Sequence, residues 1–304
     1  MRHFDPFALE CLATVVEDGG FERAAQRLNV TQSAVSQRLR ALESAAGTVL
    51  LERTRPVRPT PAGALLIKHT KQMRLLRGDL DADLSELGGD VGRLRGEEER
   101  ISIAANADSI ATWALDALGP LVQQGLPLEL ITDDQDFTLE WLRSGQVMGC
   151  VTALSQALRG CTVTPLGVMP YVCVAQARFA KTHAPHGITP QNFSSLPFVA
   201  FNRKDDLHAE FVAKALGLRQ VRLRQRYVPS TEGQVRAALA GWGAAAMPAP
   251  LAEPLLREGK LVDLLPGQRW PIALYWHCWS LPSEILRQVS EALVTAARAG
   301  LEQA

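Results

Sequence analysis

Apolar residues recur at helical spacing along the first part of the chain. Leu9, Leu12, Ala13 and Val16 stand at i, i+3, i+4 and i+7 behind Asp5 and Pro6, a capping side chain followed by the residue favoured at a first helical position. Gly19 and Gly20 stop that helix. Phe21, Ala24, Ala25 and Leu28 repeat the spacing and end at Asn29 and Val30, after which Thr31 caps a third helix with Val35, Leu39, Leu42 and Ala46 on one face. Beyond it, residues 49–51 and 53–58 read as two short extended pieces around Thr54, because Pro56 and Pro59 exclude a helix. Three helices and a hairpin form one small unit over residues 4–60.

Thr60 and Pro61 again pair a cap with a proline at the first helical position, and the helix they open runs to Leu87. Leu66, Met73, Leu80 and Leu87 recur every seven residues, with Leu76 and Leu84 between them, so the seam needs a partner. Its length and its place between two other units favour a pairing helix over residues 61–87. Residues 88–100, GGDVGRLRGEEER, are rich in glycine and charge with little to bury, and they read as a linker.

From Ile101 the pattern changes to short apolar runs that alternate with amphipathic helices. ISIAA, LELIT and MGCVTA read as strands, and SIATWALDALGPLV and FTLEWLRSG as the helices between them, an order that predicts a mostly parallel sheet. A strand at Tyr171–Ala175, a second α/β region to about residue 270, a return strand at IALYWHCW and a final helix over 282–299 divide residues 101–304 into two subdomains. The first takes about 101–175 and 271–304, the second about 176–270.

Composition narrows the function classes. The chain has 304 residues, 47% of them hydrophobic, enough for about two domains, with 32 basic against 32 acidic residues. Any nucleic-acid site must therefore be local. One stretch qualifies: residues 23 to 60 hold arginines 23, 27, 38, 40, 53, 55 and 58 against Glu43 and Glu52, so 7 − 2 = +5. Within it the outer face of the third helix carries Gln32, Ser33, Ser36, Gln37 and Arg40, the side chains that reach base edges, where a generic solvated face carries Glu and Lys. A plain three-helix bundle would share the helical spacing but has no need of that face. Arg53 and Arg55 are placed to lie along phosphates or in a minor groove. The five cysteines at 11, 150, 161, 173 and 278 sit in apolar strings and read as buried free thiols. Asp5 and Glu10 interrupt any signal peptide, and no run of 18 apolar residues occurs, so a cytoplasmic location without membrane attachment is expected.

The string GFERAAQRLNVTQSAVSQRLRALE resembles the helix-turn-helix of LysR-type regulators almost position for position, with Gly20 where much of that family has a serine cap. The resemblance implies a winged helix-turn-helix over 4–60, a dimerisation helix over 61–87, a hinge over 88–100 and, over 101–304, a two-subdomain α/β effector domain of the periplasmic-binding-protein type. The expected DNA contacts are Thr31, Gln32, Ser33, Ser36, Gln37, Arg40, Arg53 and Arg55. Leu66, Met73, Leu76, Leu80, Leu84 and Leu87 are expected to pair two copies. The expected partners are double-stranded operator DNA, further copies of the chain in a homodimer or homotetramer, and RNA polymerase.

Three stretches are placed to line a cleft between the subdomains. NADSIATW opens a helix whose free N–H groups and hydroxyls suit a carboxylate, through Asn106, Asp108, Ser109 and Thr112. Asp133 and Asp134 follow a strand at the carboxyl end where open α/β sheets place ligands. VAFNRKDDLHAEF offers Phe201, Asp205, Asp206 and His208, and PSTEGQV offers Ser230 and Glu232. Each acidic group alone reads equally as a solvated loop or cap; together they suit a ligand with a carboxylate at one end and a cation at the other. NADSIATW, VAFNRKDDLHAEF, Ser230–Glu232 and ALYWH are similar to the ArgP/LysG subgroup, which regulates arginine and lysine export, and this implies lysine or arginine as effector. The alternatives are a LysR-type regulator of another pathway with a different small carboxylate, a solute-binding protein and a hydrolase-like enzyme. G-x-S-x-G, a glycine-rich phosphate loop after a strand, H-E-x-x-H and paired C-x-x-C motifs are all missing, so no catalysis, metal or cofactor is expected.

Overall fold

The structure is a computed structural model that describes residues 3–52, 54–87, 100–132 and 135–303. Asp5 accepts from the N–H groups of Phe7 and Ala8 at 3.3 and 3.2 Å and starts α1 (Pro6–Glu17) at the proline, as the sequence predicts. After α2 (Phe21–Arg27), the Thr31 hydroxyl accepts from Ala34 N–H at 3.2 Å and opens α3 (Gln32–Ala46). Leu9, Leu12, Val15, Ala24, Val35, Leu39, Leu42 and Leu50 close a core between the three helices. The wing is shorter than expected: β1 (Leu51–Glu52) pairs antiparallel with β2 (Arg58–Pro59), and between them the Thr54 hydroxyl donates to the Pro56 carbonyl at 2.7 Å.

The Thr60 hydroxyl accepts from Gly63 N–H at 3.1 Å, donates to Val49 O at 2.8 Å, and so caps α4 (Pro61–Leu87) against the wing. Gly63 is required there, since a Cβ would stand 2.0 Å from the Leu50 carbonyl oxygen. Along α4, Ile67 completes the core of the DNA head while Leu75, two turns on, is buried in the core of the C-terminal domain. The opposite edge is bare, with Leu76, Leu80, Leu84 and Leu87 exposed by 38, 54, 55 and 85%. Leu66 packs on the head core and Met73 is half-buried, so the heptad set divides between internal packing and open surface. The linker expected over 88–100 lies outside the described residues apart from Arg100.

In the C-terminal domain β3 (Ile101–Ala104) leads through a short helix α5 (Ala107–Ser109) and a π turn at Ile110–Ala114 into α6 (Leu115–Gln123). Then follow β4 (Leu128–Ile131), α7 (Gln135–Ser144) and β5 (Gly149–Thr152). A strand of 16 residues, β6 (Cys161–Gln176), crosses to the second half. That half holds α8 (Ala177–His183), β7 (Pro197–Ala200), α9 (Leu207–Ala215), β8 (Arg224–Tyr227), α10 (Thr231–Leu239), β9 (Ala245–Pro248), α11 (Ala249–Arg257) and β10 (Leu261–Asp263). The return strand β11 (Trp270–Trp279) pairs with β6 over its full length, and α12 (Glu284–Gly300) packs back on the first half.

The main sheet has seven strands in the order β10-β6-β11-β5-β3-β4, with β9 also on β6; β7 and β8 form a separate parallel pair. Its pairing is mixed, where a mostly parallel sheet was expected. β3 is parallel to β4 and β5, but β6 and β11 cross the domain in opposite directions and impose antiparallel pairing on every strand they touch. The first crossing comes earlier than residue 175: Met169 and Tyr171 belong to the first core, Val172 and Val174 already to the second. Cys11, Cys150, Cys173 and Cys278 are buried free thiols, as expected, while Cys161 is half-exposed.

Candidate nucleic-acid interface and effector cleft

The outer face of α3 presents Gln32, Ser33, Gln37 and Arg40 to solvent, with Ser36 half-buried beside them. Thr31 is exposed but spends its hydroxyl on the helix cap and on Ser33 Oγ at 3.0 Å. Two arginines of the basic stretch are structural. Arg27 binds Glu17 and Asp18 at 3.2 and 3.1 Å, and Arg38 lies 3.7 Å from Asp5 and over the Phe7 ring. The charge offered to a polyanion therefore comes from Arg23, Arg40, Arg55 and Arg58, all exposed; Arg53 lies outside the described residues.

The cleft between the two halves encloses about 370 Å³, and Asn106, Asp108, Phe201, Asp205, Asp206 and His208 line it together. Asp108 lies in α5, just after β3. Its Oδ2 accepts from the Tyr171 hydroxyl at 2.5 Å and its Oδ1 from the Thr231 hydroxyl at 2.6 Å. Tyr171 lies at the crossing and Thr231 begins α10, so one carboxylate ties the first half to the second. Burial pushes the Asp108 carboxyl up, the two hydroxyl bonds oppose that, and the charge of Asp205 adds to it. The Tyr171 phenol is held well above its ordinary value by its own burial and then by Asp108.

Asp205 has a different task. Its two oxygens accept from Phe201 N–H at 2.9 Å and Leu207 N–H at 3.1 Å, which fixes the loop before α9. His208 is buried beneath that loop with Nδ1 3.7 Å from Asp205 Oδ2. Burial pushes its imidazole down, against the pull of Asp205 and of a backbone bond to Val199, so it is neutral at ordinary pH. Asp206 is exposed at the start of α9, one turn before Glu210, which also lines the cleft.

Several sequence candidates are placed elsewhere. Ser109 is fully buried, and the Thr112 hydroxyl donates to the Asp108 carbonyl at 2.6 Å, so neither faces the cleft. Ser230 accepts from Gly233 N–H at 3.1 Å as the cap of α10, and the exposed Glu232 does not line the cavity. Asp133 and Asp134 lie outside the described residues. Sequence reasoning passed over Tyr171, Gln234 and Trp270, which line the walls, and Thr231, which reaches the cleft only through its bond to Asp108. Thr231 had a usable signal, because Ser230 in the cap position puts the next residue at the mouth of the helix.

Residues 7–64 match the bacterial regulatory helix-turn-helix protein of the lysR family, and residues 94–298 match the LysR substrate binding domain. The chain belongs to the LysR family. Over 304 residues it is 38% identical to the HTH-type transcriptional regulator ArgP of Aeromonas salmonicida, covering 99% of each chain. It is similar to the crystal structure of ArgP from Mycobacterium tuberculosis, at 39% identity and a TM-score of 0.83, with 97% of this chain and 98% of that one covered. It is also similar to full-length LysG from Corynebacterium glutamicum with bound effector Arg, at 32% identity and a TM-score of 0.76, covering 98% and 99%. As a LysR protein the chain is a DNA-binding transcription regulator modulated by a small effector, not an enzyme. No helix among the described residues is long and apolar enough to cross a membrane.

Proposed function

We propose that this LysR regulator senses a basic amino acid, arginine or lysine, in the cleft between its subdomains and controls a gene for basic amino-acid export. The observation that carries this reading is the charge of the cleft. Asp108, Asp205, Asp206 and Glu210 line it against Lys204, and His208 is neutral. A neutral or acidic amino acid would leave that excess of negative charge uncompensated, whereas a ligand with a second cation offsets it. The relative LysG from Corynebacterium glutamicum, solved with bound effector Arg, supports the same reading. On the DNA side, the α3 face from Gln32 to Arg40 reads bases and Arg55 holds phosphate, with two copies joined along the bare edge of α4.

Titration calorimetry with arginine, lysine, norleucine and glutamate tests the effector. Arginine or lysine is expected to bind at least about tenfold more tightly than norleucine, the scale of one desolvated charge pair, and glutamate not at all. Equal affinity for norleucine and lysine would remove the charge argument.

A further inference from the structure

The charge of the cleft does not say which end of the ligand goes where, but the bonding of the floor does. Asp108 is half-buried as a residue, yet its carboxyl is crowded by protein, and its two partners are neutral hydroxyls. The charge that acts on it is another carboxylate, Asp205, which adds to the cost of its burial. A desolvated carboxylate without a cation is a costly arrangement that a ligand cation relieves. One more polar group of the cleft lining lacks a partner: the Asn106 amide oxygen, in a residue that is 6% exposed. A buried acceptor of that kind calls for a donor that the chain itself does not supply.

We infer that Asp108 receives the α-ammonium group of the effector and, through Thr231, makes that group the tie between the two subdomains. The inference rests on the reading of the cleft as a basic amino-acid site. Stereochemistry decides the orientation. A guanidinium binds a carboxylate best as a planar fork on both oxygens, but on Asp108 each oxygen already accepts a hydroxyl. Each oxygen keeps one further lone pair, which suits the compact, rotatable N–H groups of an ammonium. The unpartnered Asn106 amide oxygen supplies another acceptor. The long side chain then points outward to Asp206 and Glu210, one turn apart on the cleft side of α9. The rim pair is open and accepts the head of lysine or of arginine; the floor recognises what the two share.

The test compares arginine with two analogues on the parent protein and on Asp108→Asn: agmatine, which keeps the amine and lacks the carboxylate, and 5-guanidinopentanoate, which lacks the amine. Arginine should bind the parent more than tenfold more tightly than 5-guanidinopentanoate. Asp108→Asn should lower the affinity for arginine and agmatine more than tenfold and leave that for 5-guanidinopentanoate unchanged, with no loss of thermal stability, because a buried charge has been removed. Glu210→Gln should weaken all three. Thr231→Val should weaken arginine and add nothing once Asp108 is replaced. If 5-guanidinopentanoate bound the parent as tightly as arginine, the inference would fail without any variant. Equal losses of arginine and 5-guanidinopentanoate in Asp108→Asn would place the guanidinium, not the ammonium, on Asp108. Failure of the parent to bind any basic amino acid would instead refute the proposed function.

Discussion

Replacing Arg74 by methionine tests how the DNA head is held to the long helix. The guanidinium donates from Nε to Glu10 at 2.7 Å and from Nη1 to Glu17 at 2.9 Å, and a weaker contact reaches Thr14 at 3.4 Å. The three charged side chains are 17, 21 and 22% exposed, so water screens them only in part. Exposed ion pairs contribute about 0 to 1 kcal/mol and breaking a fully buried pair costs about 3 to 5, which puts this one at about 2 to 3 kcal/mol. Glu17 keeps Arg27 at 3.2 Å and Lys71 at 3.9 Å, so most of the loss falls on Glu10. Adding Glu10→Gln should therefore recover about 1 kcal/mol or more by neutralising the stranded charge. All six tryptophans lie between residues 113 and 279, so indole fluorescence reports the effector domain while far-ultraviolet dichroism also reports the helical head. In urea, Arg74→Met should move the dichroism transition to lower denaturant ahead of the fluorescence transition. An unchanged dichroism midpoint, or a double variant no better than the single, would show that the ion pair does not hold the head.

On DNA, Ser36→Ala and Gln37→Ala should each weaken operator binding by about 1 to 3 kcal/mol and relax sequence preference, while Arg55→Ala should weaken all DNA alike; competition against random duplex separates the two, and equal losses on both duplexes would remove α3 from base reading. For assembly, lysines at Leu80 and Leu84, exposed by 54 and 55% in one chain, should give monomers that no longer protect paired half-sites about one or more helical turns apart. Sedimentation as the parent oligomer would move the interface elsewhere.

The helices of the head, their caps and the long α4 were legible because their signals are local. Asp5 with Pro6, Thr31 and Thr60 with Pro61 each bond to a backbone group within three residues. The polar face of α3 was legible for the same reason. The cleft was legible only as a set of strands and acidic loops. Asp108 finds its partners 63 and 123 residues away, and nothing in the spacing around NADSIATW says that its carboxylate accepts from those two hydroxyls. Asp205 and Asp206 are neighbours in sequence, yet one is consumed by two backbone N–H groups and the other is free at the rim, a division set by how the loop closes. The mixed sheet followed from the length of β6, which its apolar stretch at Tyr171–Ala175 understated.

The burial of Leu75 in the effector core belongs to a wider contact. Gly145, at φ +78°, brings its backbone so near α4 that a Cβ would stand 2.6 Å from that of Lys68, and the Lys71 ammonium spans Glu17 of the head at 3.9 Å and the Gln146 carbonyl at 3.4 Å. Burial lowers the Lys71 pKa, and Glu17 opposes the shift. Head, long helix and first subdomain are thus joined by direct contacts as well as by the chain that runs through them. Replacing Gly145 by alanine, which would drive a Cβ into α4, is therefore expected to disturb the DNA head and the effector domain together.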